Sequence, residues 1–106
     1  MQKNFPIITL CGSTKFKDEF LYAQKQLTLR GYIVISVGLF GHSGDTEVWN
    51  GDTKQMLDNM HKAKIDLADE IFVIDVGGYI GSSTQSEIAY AHSFGKRVRY
   101  LSKESL

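Results

Sequence analysis

Residues 69–87, DEIFVIDVGGYIGSSTQSE, decide the fold of this chain. Residues 71–74 form an apolar run that is typical of a strand buried on both faces of a parallel sheet. A glycine-rich loop follows this run, and residues 82–84, SST, begin a helix that we expect to continue to Gly95. The stretch therefore predicts one strand–loop–helix unit, with acidic residues on both sides of the loop.

The rest of the chain repeats this unit. Residues 7–11 and 32–37 are further apolar runs, and residues 97–101 alternate charged and apolar side chains as a half-exposed edge strand does. With a helix between each pair of strands, right-handed crossovers predict a small doubly wound α/β sandwich of the flavodoxin- or Rossmann-like kind. We expect one domain over residues 1–106, with a parallel sheet of four strands in the order 2-1-3-4.

Apolar side chains at helical spacing predict the buried face of each helix. The first helix has the stripe Phe16, Phe20, Ala23 and Leu27. The second helix has the stripe Met56, Met60, Ala63 and Leu67, with Leu57 beside it. The third helix has Ile88 and Ala91, with Phe94 as a further candidate. His61 lies off the second stripe, where the pattern favours an exposed side chain over a functional base.

Composition excludes several classes of protein. Twelve Lys and Arg residues balance twelve Asp and Glu residues, so the chain has no basic field for nucleic acid. The single cysteine, Cys11, permits no intrachain disulfide, which fits a reducing cytoplasm. No apolar run approaches the roughly 18 residues that span a bilayer, and residues 1–4 lack the parts of a signal peptide. We therefore expect a cytoplasmic protein that binds a small molecule and no membrane.

The predicted strand order has a switch point between strands 1 and 3, where open α/β sheets bind ligands. We expect Gly12, Ser13 and Thr14 to line one side of this crevice and residues 75–87 the other. Backbone N–H groups at the start of a helix suit an anion or a sugar hydroxyl, although Ser13 or Thr14 could instead cap the first helix. Neither loop has Walker A or G-x-G-x-x-G spacing, so we expect no nucleotide cofactor.

Two carboxylates flank the second of these loops. Glu87 has two possible roles, because the run Thr84 to Glu87 also spells T-x-x-E, a capping box. If the helix begins at Ser82 or Ser83, Glu87 lies too far along for that box and its side chain can face the crevice. Asp75 ends a strand, where a carboxylate can transfer a proton or bind a sugar hydroxyl.

The long segment 38–52 also favours a functional role, because loops of this length are uncommon in small domains. We expect it to be a lid that brings Trp49 over a ligand, and the alternative is that Trp49 packs on the core. The spacing of His, Cys and Asp residues matches no metal site. Cys11 ends a buried strand without an evident histidine partner, which argues against a catalytic thiol.

Three segments resemble the nucleoside 2-deoxyribosyltransferase superfamily, which includes the 2′-deoxynucleoside 5′-monophosphate N-glycosidases. They are residues 68–75, ADEIFVID; the run GSST followed by EIAYA at residues 81–84 and 87–91; and residues 95–98, GKRV. Residues 10–13, LCGS, are similar to the first substrate loop of that family.

The resemblance implies an enzyme that cleaves or transfers the N-glycosidic bond of a nucleoside or nucleotide. Glu87 matches the nucleophile, and Asp75 is the best candidate for the acid that assists the departing base, while Asp58 and Asp66 are candidates for a further aspartate of the family. The resemblance also implies homodimers or larger assemblies. The expected substrate-binding residues are Gly12, Ser13, Thr14, Phe16, Trp49, Gly81, Ser82, Ser83 and Thr84. The alternative function is a binding module that senses or sequesters a nucleotide without catalysis.

Overall fold

The computed structural model describes residues 4–106 and confirms the predicted fold class. Four parallel strands form one sheet in the order β2-β1-β3-β4. The strands are β1 (Ile7–Gly12), β2 (Ile33–Ile35), β3 (Glu70–Ile74) and β4 (Arg97–Tyr100). The helices are α1 (Lys17–Leu29), α2 (Thr53–Leu67) and α3 (Ser82–Ser93). Strand β2 is shorter than the predicted segment 32–37.

The helices cover both faces of the sheet, as in a doubly wound fold. On one face, α1 packs on β1 and β3 through the residues Ile8, Leu10, Phe20, Ala23, Leu27, Phe72 and Ile74. On the other face, α2 and α3 supply Ile65 and Ala91 to a core that also contains Cys11, Ile71 and Val73. Strands β1 and β3 therefore lie between two cores, which explains why their sequences are apolar on both faces.

The apolar stripe predicts the orientation of α1 but not that of α2. Phe20, Ala23 and Leu27 are fully buried, as expected. On α2 the residues that face the sheet are His61 and Ile65, whereas the predicted stripe of Met56, Met60, Ala63 and Leu67 is exposed. The prediction was wrong because hydropathy counts His61 as polar, although its ring occupies a core position of the helix. Similarly, Phe94 at the end of α3 is exposed rather than buried.

The ends of β1 and β3 approach each other closely, and this approach determines where the loop after β1 lies. Gly12 ends β1 opposite Ile74 of β3. A Cβ atom built at Gly12 would lie 3.0 Å from both the Cβ and the carbonyl oxygen of Ile74, and the φ angle of Gly12 is +154°. Glycine is therefore required here for the ends of β1 and β3 to meet.

Within residues 4–106, no helix combines the length and the apolar character that a bilayer crossing requires. The sequence expectation about a signal peptide concerns residues 1–4, of which the first three lie outside the described part of the chain.

Candidate active site

A cavity of about 260 Å³ opens at the carboxyl end of β1, between segment 38–52, helix α2 and the start of α3. It contains most of the residues that the sequence predicts for the site. These lining residues are Gly12, Ser13, Thr14, Trp49, Gly81, Ser82, Ser83, Thr84 and Glu87. Asp75 and Phe16 are the two predicted site residues that do not line it.

Glu87 belongs to the cavity wall and does not cap its helix. Helix α3 begins at Ser82 after the N-cap residue Gly81, and among the described residues no side chain caps it. Glu87 is therefore in the second turn, beyond the reach of a capping box. Its side chain is 16% exposed and belongs to the lining of the cavity.

The surroundings of Glu87 favour its neutral form. Burial, followed by the negative charge of Asp58, raises the pKa of Glu87 to about 7, while the neighbouring Cys11 thiol lowers it in part. Nε2 of His61 lies 3.8 Å from Oε1 of Glu87, and the two groups form an ion pair only when His61 is protonated. Carboxyl groups with a pKa near neutrality are characteristic of functional sites, because they can change protonation during a reaction.

Behind Glu87, Cys11 and His61 form a pair that the sequence did not predict. The Cys11 Sγ atom lies 3.2 Å from Nε2 of His61. Burial lowers the pKa of His61 to about 4, with the charge of Lys64 adding to the effect, and burial raises the pKa of the Cys11 thiol. Both groups are thus neutral near pH 7, unlike the thiolate and imidazolium of a cysteine nucleophile.

The position of His61 shows that two predictions were wrong, one about His61 itself and one about Cys11. His61 is buried rather than exposed, and it supplies the histidine partner that Cys11 was expected to lack. The two residues are fifty positions apart in the chain, so no local spacing rule detects them. Only the packing of α2 on the end of β1 brings them together.

Asp75 is buried but lies outside the cavity, which corrects the expectation that both carboxylates share the crevice. The backbone N–H of Ser102 donates to Oδ1 of Asp75 at 2.8 Å, and the Ser102 hydroxyl contacts Oδ2 at 2.6 Å. This carboxylate fastens the turn after β4 to the end of β3. Its position gives it no contact with a ligand in the cavity.

Two aromatic side chains form part of the cavity wall. Trp49 is half exposed, and its Nε1–H donates to the Gly41 carbonyl at 3.3 Å. The edge of the His42 ring packs on it at 5.0 Å between ring centroids. Trp49 therefore belongs to the loop over the cavity and not to the core. Tyr79, which the sequence analysis did not single out, faces the same cavity.

Phe16 does not line the cavity but packs behind Tyr79, which does. Its ring meets that of Tyr79 edge to face, with centroids 5.9 Å apart. The Lys15 ammonium lies 3.7 Å from the centroid of the Tyr79 ring. The expectation that Phe16 touches substrate is corrected accordingly, because Phe16 supports Tyr79 and Tyr79 is the residue that lines the cavity.

Hydrogen bonds connect segment 38–52 to Thr14 in the loop after β1. Thr14 Oγ1 lies 2.9 Å from Nδ1 of His42 and accepts the backbone N–H of His42 at 3.2 Å. The Ser43 hydroxyl donates to the Thr14 carbonyl at 2.9 Å. Helix α1 begins later, at Lys17, and no side chain in the described residues caps it. Thr14 thus anchors the loop rather than capping the helix.

Two of the aspartates singled out by the sequence have different surroundings. Asp58 lines the cavity and forms an ion pair with Lys54 at 3.1 Å. Asp66 lies farther along α2 and accepts the Tyr90 hydroxyl at 2.7 Å. Only Asp58 is therefore placed to act on a ligand in the cavity.

Comparisons with protein-family models, with curated proteins and with solved structures found no match to this chain.

Proposed function

We propose that the protein cleaves or transfers the N-glycosidic bond of a 2′-deoxynucleoside or its 5′-monophosphate, with Glu87 as the nucleophile. The observation that carries the proposal is the position of Glu87, a largely buried carboxylate in a cavity wall. The resemblance of residues 68–98 to the deoxyribosyltransferase superfamily supports the same assignment, because Glu87 matches the nucleophile of that family.

The proposed reaction has two displacements. An ionised Glu87 oxygen attacks the anomeric carbon, the C–N bond breaks, and its electron pair leaves with the base, which takes up a proton. The resulting glycosyl ester is then attacked by water or by a second base, and the carboxylate is released. Such a covalent intermediate replaces one difficult displacement by two easier ones.

In this proposal the departing base takes its proton from water in the cavity, and Asp58 rather than Asp75 is the carboxylate placed to orient that water. Asp58 lines the cavity with Glu87, whereas both oxygens of Asp75 are engaged by Ser102. The negative charge of Asp58 also raises the pKa of Glu87, which indicates that the two carboxyl groups are close enough to interact.

The cavity suits a ligand of about the size of one nucleoside. Its volume of about 260 Å³ is just below the roughly 300–1,000 Å³ of sites for drug-sized ligands. In the proposed complex, Trp49 and Tyr79 contact the base through their rings. The hydroxyls of Ser82 and Ser83, with the first N–H groups of α3, bind the sugar or a 5′-phosphate.

The proposal is tested by incubating the protein with a panel of 2′-deoxynucleosides and their monophosphates and measuring free base by chromatography. The wild type should release base from at least one substrate, and Glu87→Gln should not. Asp18→Asn, which changes an exposed carboxylate on α1, is the matched control and should retain the activity. Equal base release by the wild type and Glu87→Gln would exclude Glu87 as the nucleophile.

A second candidate function is a binding module that holds a nucleotide without cleaving it. The elevated pKa of Glu87 favours this candidate, since a protonated carboxyl group can donate a hydrogen bond but cannot attack a sugar. Tight binding without base release, equally tight in Glu87→Gln, would support this function over the enzymatic one. Isothermal titration calorimetry with the same panel measures it.

We also propose that the protein self-associates through the exposed face of α2. Three large apolar side chains, Met56, Met60 and Leu67, are exposed there. Clusters of exposed apolar side chains commonly mark protein interfaces, and the family resemblance implies a homodimer or a larger assembly. Light scattering coupled to size-exclusion chromatography should give at least twice the mass of the chain, and Met60→Lys should reduce it to the monomer.

A further inference from the structure

Three side chains with metal-binding atoms converge at the back of the cavity. The Sγ atom of Cys11, a ring nitrogen of His61 and a carboxylate oxygen of Glu87 all lie within 4.8 Å of one another. Cys11 and His61 are buried, and Glu87 is largely buried. The three residues come from β1, α2 and α3, so the fold itself holds them together.

The spacing of these atoms is close to that of a tetrahedral zinc site. Bonds of about 2.3 Å to sulfur and about 2.0–2.1 Å to nitrogen or oxygen place neighbouring ligand atoms about 3.4–3.6 Å apart at tetrahedral angles. The observed distances are 3.2 Å from Cys11 Sγ to His61 Nε2 and 3.8 Å from His61 Nε2 to Glu87 Oε1. The third pair of atoms, Cys11 Sγ and a Glu87 carboxylate oxygen, lies within 4.8 Å.

The sulfur, nitrogen and oxygen ligand atoms indicate which metal ion this site would prefer. A thiolate with an imidazole and a carboxylate is a borderline-soft set that suits Zn²⁺, while Mg²⁺ and Ca²⁺ prefer oxygen ligands alone. His61 is neutral at pH 7, so its Nε2 lone pair is available once the tautomer places the proton on Nδ1. The cysteine and the glutamic acid lose their protons when the metal binds.

The site also has a route for the metal and a position for a fourth ligand. His61 and Glu87 both line the cavity, whereas Cys11 lies behind them. An ion bound by the three side chains would therefore face the cavity on its remaining side. Three protein ligands and one open position are the arrangement of zinc sites that exchange water or small ligands.

We propose that Cys11, His61 and Glu87 bind one Zn²⁺ ion, and that the bound ion blocks the site by engaging the Glu87 carboxylate. Metal binding itself does not depend on the proposed function. Its inhibitory consequence does rest on it, because the Glu87 oxygen that coordinates zinc is the atom proposed to attack the sugar.

Cobalt provides a direct test of the ligand set. The metal-free wild type titrated with Co²⁺ should develop a thiolate-to-cobalt charge-transfer band and the intense visible bands of a tetrahedral site, saturating at one ion per chain. Zn²⁺ should abolish these bands, and excess Mg²⁺ should leave them unchanged. A titration without a thiolate band, or one in which Cys11→Ser gives the same bands as the wild type, would overturn the proposal.

Affinity for Zn²⁺, measured by competition with a chromophoric chelator, tests each ligand. Cys11→Ser and His61→Gln should each bind Zn²⁺ more than about 100-fold more weakly, since loss of even an indirect partner of a metal site costs about 10–100-fold. His92→Gln, which removes an exposed imidazole on α3, is the matched control and should retain wild-type affinity. If circular dichroism shows that a buried substitution unfolds the chain, Glu87→Gln provides the test, and wild-type affinity in that variant would overturn the assignment.

Inhibition is measured as the rate of base release with and without saturating Zn²⁺. The wild type should lose its activity in proportion to occupancy and regain it when a chelator is added. Cobalt bands without base release from any substrate would refute the proposed function and leave the metal site standing. Undiminished base release from zinc-saturated protein would overturn the inhibitory role of the ion.

Discussion

Asp75 begins the loop between β3 and α3, Glu87 lies in the second turn of α3, and their surroundings differ in nearly every respect. Asp75 is almost fully buried, and both of its oxygens are engaged by Ser102. Glu87 lines the cavity beside a neutral histidine and a neutral thiol, and its pKa is raised to about 7. Hydrogen bonds stabilise the Asp75 carboxylate in its position. In contrast, burial and the charge of Asp58 disfavour the ionised form of Glu87.

The contrast between these two residues distinguishes a structural carboxylate from a reactive one. A buried carboxylate that accepts well-placed hydrogen bonds contributes to stability. A buried carboxylate whose neighbours disfavour its charge reduces stability, and such costs are concentrated at functional sites. The predictions below test whether the two residues divide in this way.

The largest expected effect is on catalysis. Glu87→Gln should lower kcat/KM by more than about 1,000-fold, because removal of a nucleophile eliminates the covalent route. Asp75→Asn should have a rate similar to that of the wild type per folded molecule, since its side chain lies outside the cavity. Steady-state kinetics with the fraction folded determined by circular dichroism measure both. A comparable loss of rate in Asp75→Asn would show that Asp75 contributes to catalysis as much as Glu87 does.

The second effect is on the pH dependence of the rate. Attack requires ionised Glu87, so kcat/KM should fall about tenfold for each pH unit below the pKa of about 7. Between pH 7, where about half of Glu87 is ionised, and pH 5, where about 1% is, the expected loss is about 50-fold, measured with the substrate well below its KM. A rate that is flat from pH 5 to pH 8 would show that Glu87 is not the group that must ionise.

The third effect is on stability. Substitution of Glu87 should stabilise the fold, whereas most substitutions of buried residues destabilise it. The pKa of Glu87 is about 7 in the folded chain and near 4.5 in the unfolded one, so ionisation lowers the stability progressively between these values. Glu87→Gln should therefore raise the free energy of unfolding by about 1–3 kcal/mol at pH 8. The gain should vanish below pH 4.5, where both states are protonated.

Urea unfolding of the wild type and Glu87→Gln at pH 4.5 and pH 8 measures this change. Asp75→Asn is the contrasting variant, and it should be less stable than the wild type at pH 8, because its amide cannot accept both bonds from Ser102. A loss of stability in both variants would mean that Glu87 is held as favourably as Asp75.

The smallest effect concerns the partner of Asp75. Ser102→Ala removes the hydroxyl contact but keeps the backbone bond, so it should cost about 0.5–1.5 kcal/mol. The rate of base release per folded molecule should not change. Ser105→Ala, at another exposed serine of the C-terminal segment, is the control and should leave the unfolding midpoint unchanged. Equal midpoints for the two variants would indicate that the hydroxyl contact contributes nothing.

The fold could be predicted from the sequence because each element carries a local signal. Apolar runs on both faces marked β1 and β3, and connection rules then determined the strand order. The orientation of α2 could not be predicted, since its buried face includes His61 and its exposed face includes two methionines. A hydropathy pattern shows which side of a helix is apolar. The apolar side is also the buried side only when the core contains no polar residue of that helix, and in α2 it contains His61.

The candidate site was predictable only in part for a related reason. The loop residues and Glu87 belong to one continuous stretch, so their proximity follows from the strand–loop–helix unit. Cys11 and His61 meet across fifty residues, and Asp75 meets Ser102 across 27. Contacts of this range depend on side-chain directions at the ends of several elements, which neither spacing nor periodicity specifies.

The attachment of segment 38–52 through Thr14, His42 and Ser43 has a consequence for how a ligand reaches Glu87. The hydrogen bonds that join Thr14 to His42 are exposed to solvent. Since each contributes about 0.5–1.5 kcal/mol net, water can replace them at small cost. An opening of this segment would expose the cavity to solvent, so in the proposed reaction water would compete with a second base for the glycosyl ester.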